Sequence, residues 1–222
     1  MKDDVFAERR EAMVREQIAA RGICNPAVLD AMRRVPRERF VATELRDRAY
    51  EDSPLSIAEG QTISQPYIVA LMLEAAQLQP GDRVLEVGAG SGYACAVASL
   101  IAARVYAIER HANLAVQARE RLATLCRSNL EICSGDGSAG WPEAAPFDAI
   151  LVSAGGPRVP EALRRQLAIG GRLVMPVGDT TAFQRLVRVT RQTASDFIEV
   201  DLAGVAFVPL IGEHGWAPTE AE

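Results

Sequence analysis

Apolar positions along the chain fall into two textures, with the change near residue 80. Residues 6–21 place Phe6, Met13 and Ile18 among many charges at helical spacing. Gly22 is suited to end that helix in a left-handed conformation. Asn25-Pro26 reads as an N-cap with proline in the first turn, opening a short helix through Val28, Leu29 and Met32. Pro36 stops it. Partial helix is expected over 37–50, an extended Ser/Pro/Gly-rich loop over 51–64, and a strongly apolar helix from Pro66 to Leu78.

From Pro80-Gly81 onward, strand and helix patterns alternate. Short apolar runs at 83–87, 104–109, 130–134, 147–153 and 172–177 predict buried strands. Helices are expected over 91–102, 112–126 and about 160–168, the last closed by Gly170-Gly171. That alternation argues for a parallel sheet with helices on both faces. Residues 184–192 and 196–207 alternate more cleanly, with no helix between them, and predict an antiparallel hairpin at the sheet edge.

Composition narrows the class. The 222 residues are 49% hydrophobic and 24% charged, enough for a real core and incompatible with a disordered or fibrous chain. A net charge of -5 argues against a nucleic-acid partner. Cys24, Cys95, Cys126 and Cys133 show no CxxC spacing, so reduced thiols are expected and neither a disulfide frame nor a metal site. The charged opening MKDDVFAERREAMVREQ lacks an apolar signal region, and no apolar run reaches the ~18 residues of a membrane span. A cytoplasmic protein without a membrane partner is expected.

The chemistry concentrates where the first strand meets its helix. Glu86-Val-Gly88-Ala-Gly90-Ser-Gly92 provides the unusual dihedrals of a tight turn and a bare backbone that a ligand can approach. A strand-to-helix turn with nothing bound would carry the same glycines. The third glycine falls one residue early for a dinucleotide fingerprint. The spacing is similar instead to the E/D-x-G-x-G-x-G of class I S-adenosylmethionine-dependent methyltransferases, whose ligand needs no phosphate cradle. Glu109 ends the second strand, where a carboxylate can accept both ribose hydroxyls. Asp136, between Gly135 and Gly137, follows the third, where it could accept from an adenine amino group while a neighbouring N–H donates to a ring nitrogen. Either acid alone could be a solvated loop residue; three acid-bearing strand ends in successive units are harder to dismiss.

The blocks AYEDSPLSIAEGQTISQPYIVALMLEAAQL, VLEVGAGSGY, VYAIER, SGDGSAGWPEAAPFDAILVSA, LRRQLAIGGRLVMPVG and FVPLIGE resemble, in order, those of protein-L-isoaspartate O-methyltransferases. The likeness covers roughly residues 10–213, and GQTISQP at 60–66 is its most specific part. It implies a single domain over 1–222. An N-terminal helical and substrate-loop segment (1–79) precedes a Rossmann-like cofactor-binding core (80–222) with a C-terminal antiparallel hairpin. It further implies methyl transfer from S-adenosylmethionine to the free carboxyl of L-isoaspartyl, or D-aspartyl, residues of damaged proteins and peptides. The ester then collapses to a succinimide and begins repair. A monomer is the expected state. Two departures stand beside the expected pocket: Ala58 replaces a glycine, and Ser153-Ala154-Gly155-Gly156 replaces the more usual Thr-Ala-Ala. They keep open a methyltransferase for another carboxylate or small molecule.

A carboxylate acceptor with a pKa of ~4 is already ionised at neutral pH, so no general base is required. His111 reads as a helix-start residue and His214 as a tail residue. What remains is to orient the anion, a task suited to a hydroxyl and backbone N–H groups. Ser64 is the candidate hydroxyl, and it could also cap the helix that starts at Pro66. The resemblance makes it the active-site residue, with Thr62 beside it binding substrate or bracing the loop.

Overall fold

A computed structural model describes residues 2–125, 128–180 and 182–217, with the side chains of residues 2–4 left aside. Cys126 lies outside the described residues. The N-terminal segment carries α1 (Lys2–Ala12), continued by a π-helical turn over Met13–Ile18 and a 3-10 turn over Ala19–Arg21. Gly22 ends it at φ 97°, as expected. In α2 (Pro26–Arg34) the Asn25 side chain accepts from the N–H groups of Ala27 and Val28, a side-chain cap with proline behind it. Two 3-10 turns, Arg37–Phe40 and Thr43–Arg48, follow. The predicted loop 51–64 contains a small antiparallel pair, β1 (Leu55–Ser56) and β2 (Thr62–Ile63), and then α3 (Pro66–Ala75).

The core alternates β3 (Arg83–Val87), α4 (Tyr93–Ala98), β4 (Arg104–Glu109), α5 (Ala112–Thr124), β5 (Leu130–Ser134), β6 (Phe147–Val152), α6 (Glu161–Arg165) and β7 (Leu167–Val177). The strands β8 (Gln184–Arg191) and β9 (Phe197–Val205) complete a seven-stranded sheet in the order β5-β4-β3-β6-β7-β8-β9. The first five are parallel and the last two antiparallel. Two expectations change. The helix near 160–168 is only α6, and Gly170-Gly171 lies inside β7 instead of closing a helix. The pairing slips between Phe147↔Leu167 and Ala149↔Arg172, so the two glycines form a bulge. Gly170 sits at φ +81°, and a Cβ on Gly171 would come within 2.8 Å of the Ala168 carbonyl.

The central strands of the sheet are buried on both faces, and their alternate residues serve different cores, while the edge strands β5 and β9 are largely exposed or half-buried. Val84, Ala149, Leu151 and Val174 pack with the N-terminal helices, while Leu85, Val87, Ile150 and Met175 pack with Phe147, Leu163 and Leu210 on the other face. The N-terminal segment therefore covers one face of the sheet. The strand order reverses at β3, between β4 and β6, which is where an open α/β sheet leaves a crevice beyond its strand ends. Among the described residues, no helix is long and apolar enough to cross a membrane.

Candidate functional site

Two cavities meet at that crevice and share Thr62, Gly88, Gly90 and Ser153. One limb, with an empty volume of about 510 Å³, is mostly apolar: Val69, Met72, Leu73 and Tyr93 line it with Ser64 and Glu86. The other, of about 670 Å³, is bordered by Glu109, His111, Gly137 and the returning segment Pro209–Ile211. A third cavity of about 1050 Å³ opens on the far side of the β2 end, lined by Thr62, Ser64, Phe183 and residues 204–207. Thr62 and Ser64 thus stand in the partition between a groove at the sheet's switch point and an open cleft.

The glycines divide by task. Gly88 (φ +86°) and Gly90 (φ +52°) line the groove in a conformation that L side chains rarely adopt, and a Cβ on Gly90 would meet Ile57 at 3.5 Å. Gly92 (φ +86°) is not part of the groove's lining. A Cβ there would press on Leu122 at 3.1 Å and Ala118 at 3.3 Å, so it serves the contact of α4 with α5.

The three acids also differ. Glu109 is buried at the end of β4; one oxygen accepts from the Gly90 N–H at 2.7 Å, the other from the His111 N–H at 2.9 Å. A carboxylate oxygen has two acceptor directions, so each keeps capacity for a ligand hydroxyl. Glu86 is buried beneath the apolar limb, accepting from the Cys95 thiol at 2.8 Å and the Ser153 hydroxyl at 3.2 Å. Burial pushes its carboxyl up to about 7, against the pull of those two hydrogen bonds. Asp136 is tied into the fold: Oδ1 accepts from the Ser138 N–H and hydroxyl, and Oδ2 from the Glu213 N–H, which leaves Oδ2 one acceptor direction. Partial desolvation raises its pKa, but these hydrogen bonds outweigh it and hold it below the usual range. Its neighbour Gly137 lines the groove, and a Cβ there would strike Val87 at 2.5 Å.

Ser64 precedes α3, whose N-cap position belongs to Gln65 with no side-chain cap bond. Its hydroxyl has no hydrogen-bond partner among the described residues, so the capping role expected for it is not used. Its carbonyl accepts from Arg37 at 2.8 Å. His111 occupies the N-cap position of α5, with Nδ1 4.0 Å from Glu59. Glu59 also accepts from the Asn113 amide at 2.9 Å, tying the tip of the β1–β2 hairpin across the groove. Ala58 is exposed in that tip, and the positive φ values fall on Glu59 and Gly60, so alanine is accommodated there without strain. The Gly155-Gly156 departure is filled by its neighbours. A Cβ on Gly155 would overlap the Gln184 amide and one on Gly156 the Met175 methyl. Gln184 in turn both donates to and accepts from the Phe207 backbone, on the cleft side.

Arg37, Cys95, Ser153 and Gln184 touch residues of the site or its cleft, contacts that sequence reasoning did not single out. Arginine and glutamine in a polar context read as surface residues, and no local spacing marks their burial.

A sequence profile described as Protein-L-isoaspartate(D-aspartate) O-methyltransferase matches residues 8–215. Protein-L-isoaspartate O-methyltransferase 1 of Rhodopseudomonas palustris (strain HaA2) is 58% identical, over 98% of this chain and 89% of its own. The Methylorubrum populi protein-L-isoaspartate O-methyltransferase is 60% identical, over 94% and 97%. A solved protein-L-isoaspartate O-methyltransferase superposes with a TM-score of 0.84 at 29% identity, covering 93% of this chain and 67% of that one. A Plasmodium falciparum protein of the same description, solved in complex with S-adenosyl-L-homocysteine, gives 0.78 at 28% identity, over 91% and 98%.

Proposed function

This chain belongs to the protein-L-isoaspartate(D-aspartate) O-methyltransferase family, and we propose that it carries out that family's reaction with the residues gathered at the crevice. It methylates the free carboxyl of L-isoaspartyl residues, and of D-aspartyl residues, in damaged proteins and peptides. S-adenosylmethionine, when bound, supplies a sulfonium methyl that the carboxylate oxygen takes as the S–CH₃ bond breaks. Glu109 is the acceptor for its ribose hydroxyls, and Gly88, Gly90 and Gly137 leave room for it along the backbone. Glu86 presents an anion or a buried acid beneath its apolar limb. Gly92 and Asp136 serve this site indirectly, through the packing of α4 and the anchoring of residues 213 and 214.

The observation that carries the reading is the partition. Thr62 and Ser64 line both the groove and the open cleft, so an acceptor entering from the cleft meets the groove at Ser64. The unpartnered hydroxyl of Ser64 can donate to a carboxylate and orient it without neutralising it. No histidine is needed as a base, because the acceptor is already an anion. The free thiols of Cys24, Cys95 and Cys133 and the acidic charge support a cytoplasmic setting. Incubation with methyl-labelled S-adenosylmethionine and matched isoaspartyl and aspartyl peptides tests the assignment. Base-labile label on the isoaspartyl peptide alone is expected, and equal labelling or none would overturn it.

A further inference from the structure

Arg37 is the largest side chain with no exposure, and it has no carboxylate partner among the described residues. Its Nε donates to the Ala49 carbonyl at 2.7 Å and its Nη2 to the Ser64 carbonyl at 2.8 Å, while Nη1 has no partner. The guanidinium carbon lies 4.8 Å from the centroid of the Tyr93 ring, and Tyr93 lines the apolar limb with Ser64. A buried cation is costly to the fold unless it is paired, and arginine does not escape that cost by losing its proton. Two carbonyl dipoles, the Tyr93 ring face and the polar Tyr93 hydroxyl beside it compensate it only in part. A positive charge without a counterion therefore sits directly behind the peptide that carries Ser64.

We infer that Arg37 is a positioning residue for the acceptor carboxylate, holding the Ser64 peptide from inside the fold and biasing its outer side toward an anion. The inference rests on the reading above, in which the acceptor binds at Ser64. A cation touching the nucleophilic oxygen would take up its lone pair and slow attack. Held one peptide away, the charge still attracts the carboxylate across a water-poor wall, where the effective dielectric is low. The tasks separate: Ser64 touches the anion, and Arg37 fixes Ser64 and sets the sign of the pocket.

Arg37→Met and Arg37→Lys, each alone and combined with Ser64→Ala, test this in the full-length protein. Arg37→Met is expected to lower kcat/KM on an isoaspartyl peptide by up to about tenfold, mainly through KM. Affinity for S-adenosyl-L-homocysteine should stay within about twofold, because Arg37 lines neither limb of the groove. Arg37→Lys, which keeps the charge, should recover most of the loss. In the Ser64→Ala background either substitution should cost much less than in the wild type. A folded Arg37→Met with normal kcat/KM would overturn the inference, and so would full additivity with Ser64→Ala. If Arg37→Met does not fold, Arg37→Lys and its cycle with Ser64→Ala decide in the same way. Failure of the parent enzyme to label the isoaspartyl peptide would instead reject the functional reading.

Discussion

The two walls of the groove are built by different means. On the sheet side, Gly88, Gly90, Glu109 and Ser153 come from the ends of three neighbouring strands. The backbone ties them: Gly88 N–H to the Ile108 carbonyl, Gly90 N–H to Glu109, Ser153 N–H to the Val87 carbonyl. On the opposite side, Thr62, Ile63 and Ser64 stand on a hairpin of two residue pairs, far too small to hold itself. Side-chain hydrogen bonds hold it: Arg37 donates to the Ser64 carbonyl, Asn113 to Glu59 at the hairpin tip, and the adjoining Gln65 to the Asp52 carbonyl. The contrast suits the chemistry. A cofactor is the same at every turnover and can be met by a rigid sheet edge, whereas acceptor sites on damaged proteins differ in their surroundings.

The sheet wall should break hardest when its backbone is disturbed. Gly90→Val places a β-branched residue at φ +52° and fills the groove beside Ile57. Strain of ~1–3 kcal/mol and lost space together should weaken S-adenosyl-L-homocysteine binding by at least about a hundredfold, measured by calorimetry. Binding like the wild type would show that the ligand does not pass over Gly90.

The same wall has an acid at its base whose carboxyl is pushed up to about 7 by burial. Between its ordinary pKa and about 7 the unfolded chain releases this proton while the folded protein keeps it. Stability of the ligand-free protein should therefore fall as pH rises through that window, by up to about 3 kcal/mol, and level off above it. Urea unfolding from pH 4.5 to 8 should show this slope in the wild type, and Glu86→Gln should flatten it. An equal slope in both proteins would assign the effect elsewhere.

Glu109→Ala removes the acceptor for a ligand's hydroxyls and leaves the N–H groups of Gly90 and His111 without their carboxylate. A loss of ~1.5–3 kcal/mol, or about ten- to a hundredfold in cofactor affinity, is expected. An unchanged dissociation constant would move the ribose site away from β4.

Ser64→Ala probes the other wall and should be the mildest. One hydrogen bond to a charged group is lost, so kcat/KM on an isoaspartyl peptide should fall about tenfold. Cofactor affinity and melting temperature should not move, because the hydroxyl caps no helix. A lower melting temperature with normal turnover would return Ser64 to a structural role.

Local pattern carried much of this molecule. Strands 83–87, 104–109 and 130–134 were legible to the residue: the first two are largely buried and need an apolar run, the third is an edge strand marked by alternation about Ile132, and each ends where a turn begins. The Asn25-Pro26 helix start and the clustering of Glu86, Gly88, Gly90 and Glu109 were legible for the same reason: each is satisfied by neighbours in sequence or by consecutive βα units. Only the tertiary structure decided the rest. Gly170-Gly171 became a bulge because β7 had to slip register against β6, and nothing within residues 160–177 records that partner. Gly92 turned to packing on α5, and Asp136 to holding residue 213, across 77 positions of chain. Arg37 meets Ser64 27 residues away and Tyr93 farther still. A charge in a polar stretch carries no mark of the interior it will enter, because its burial is set by partners that only folding brings within reach.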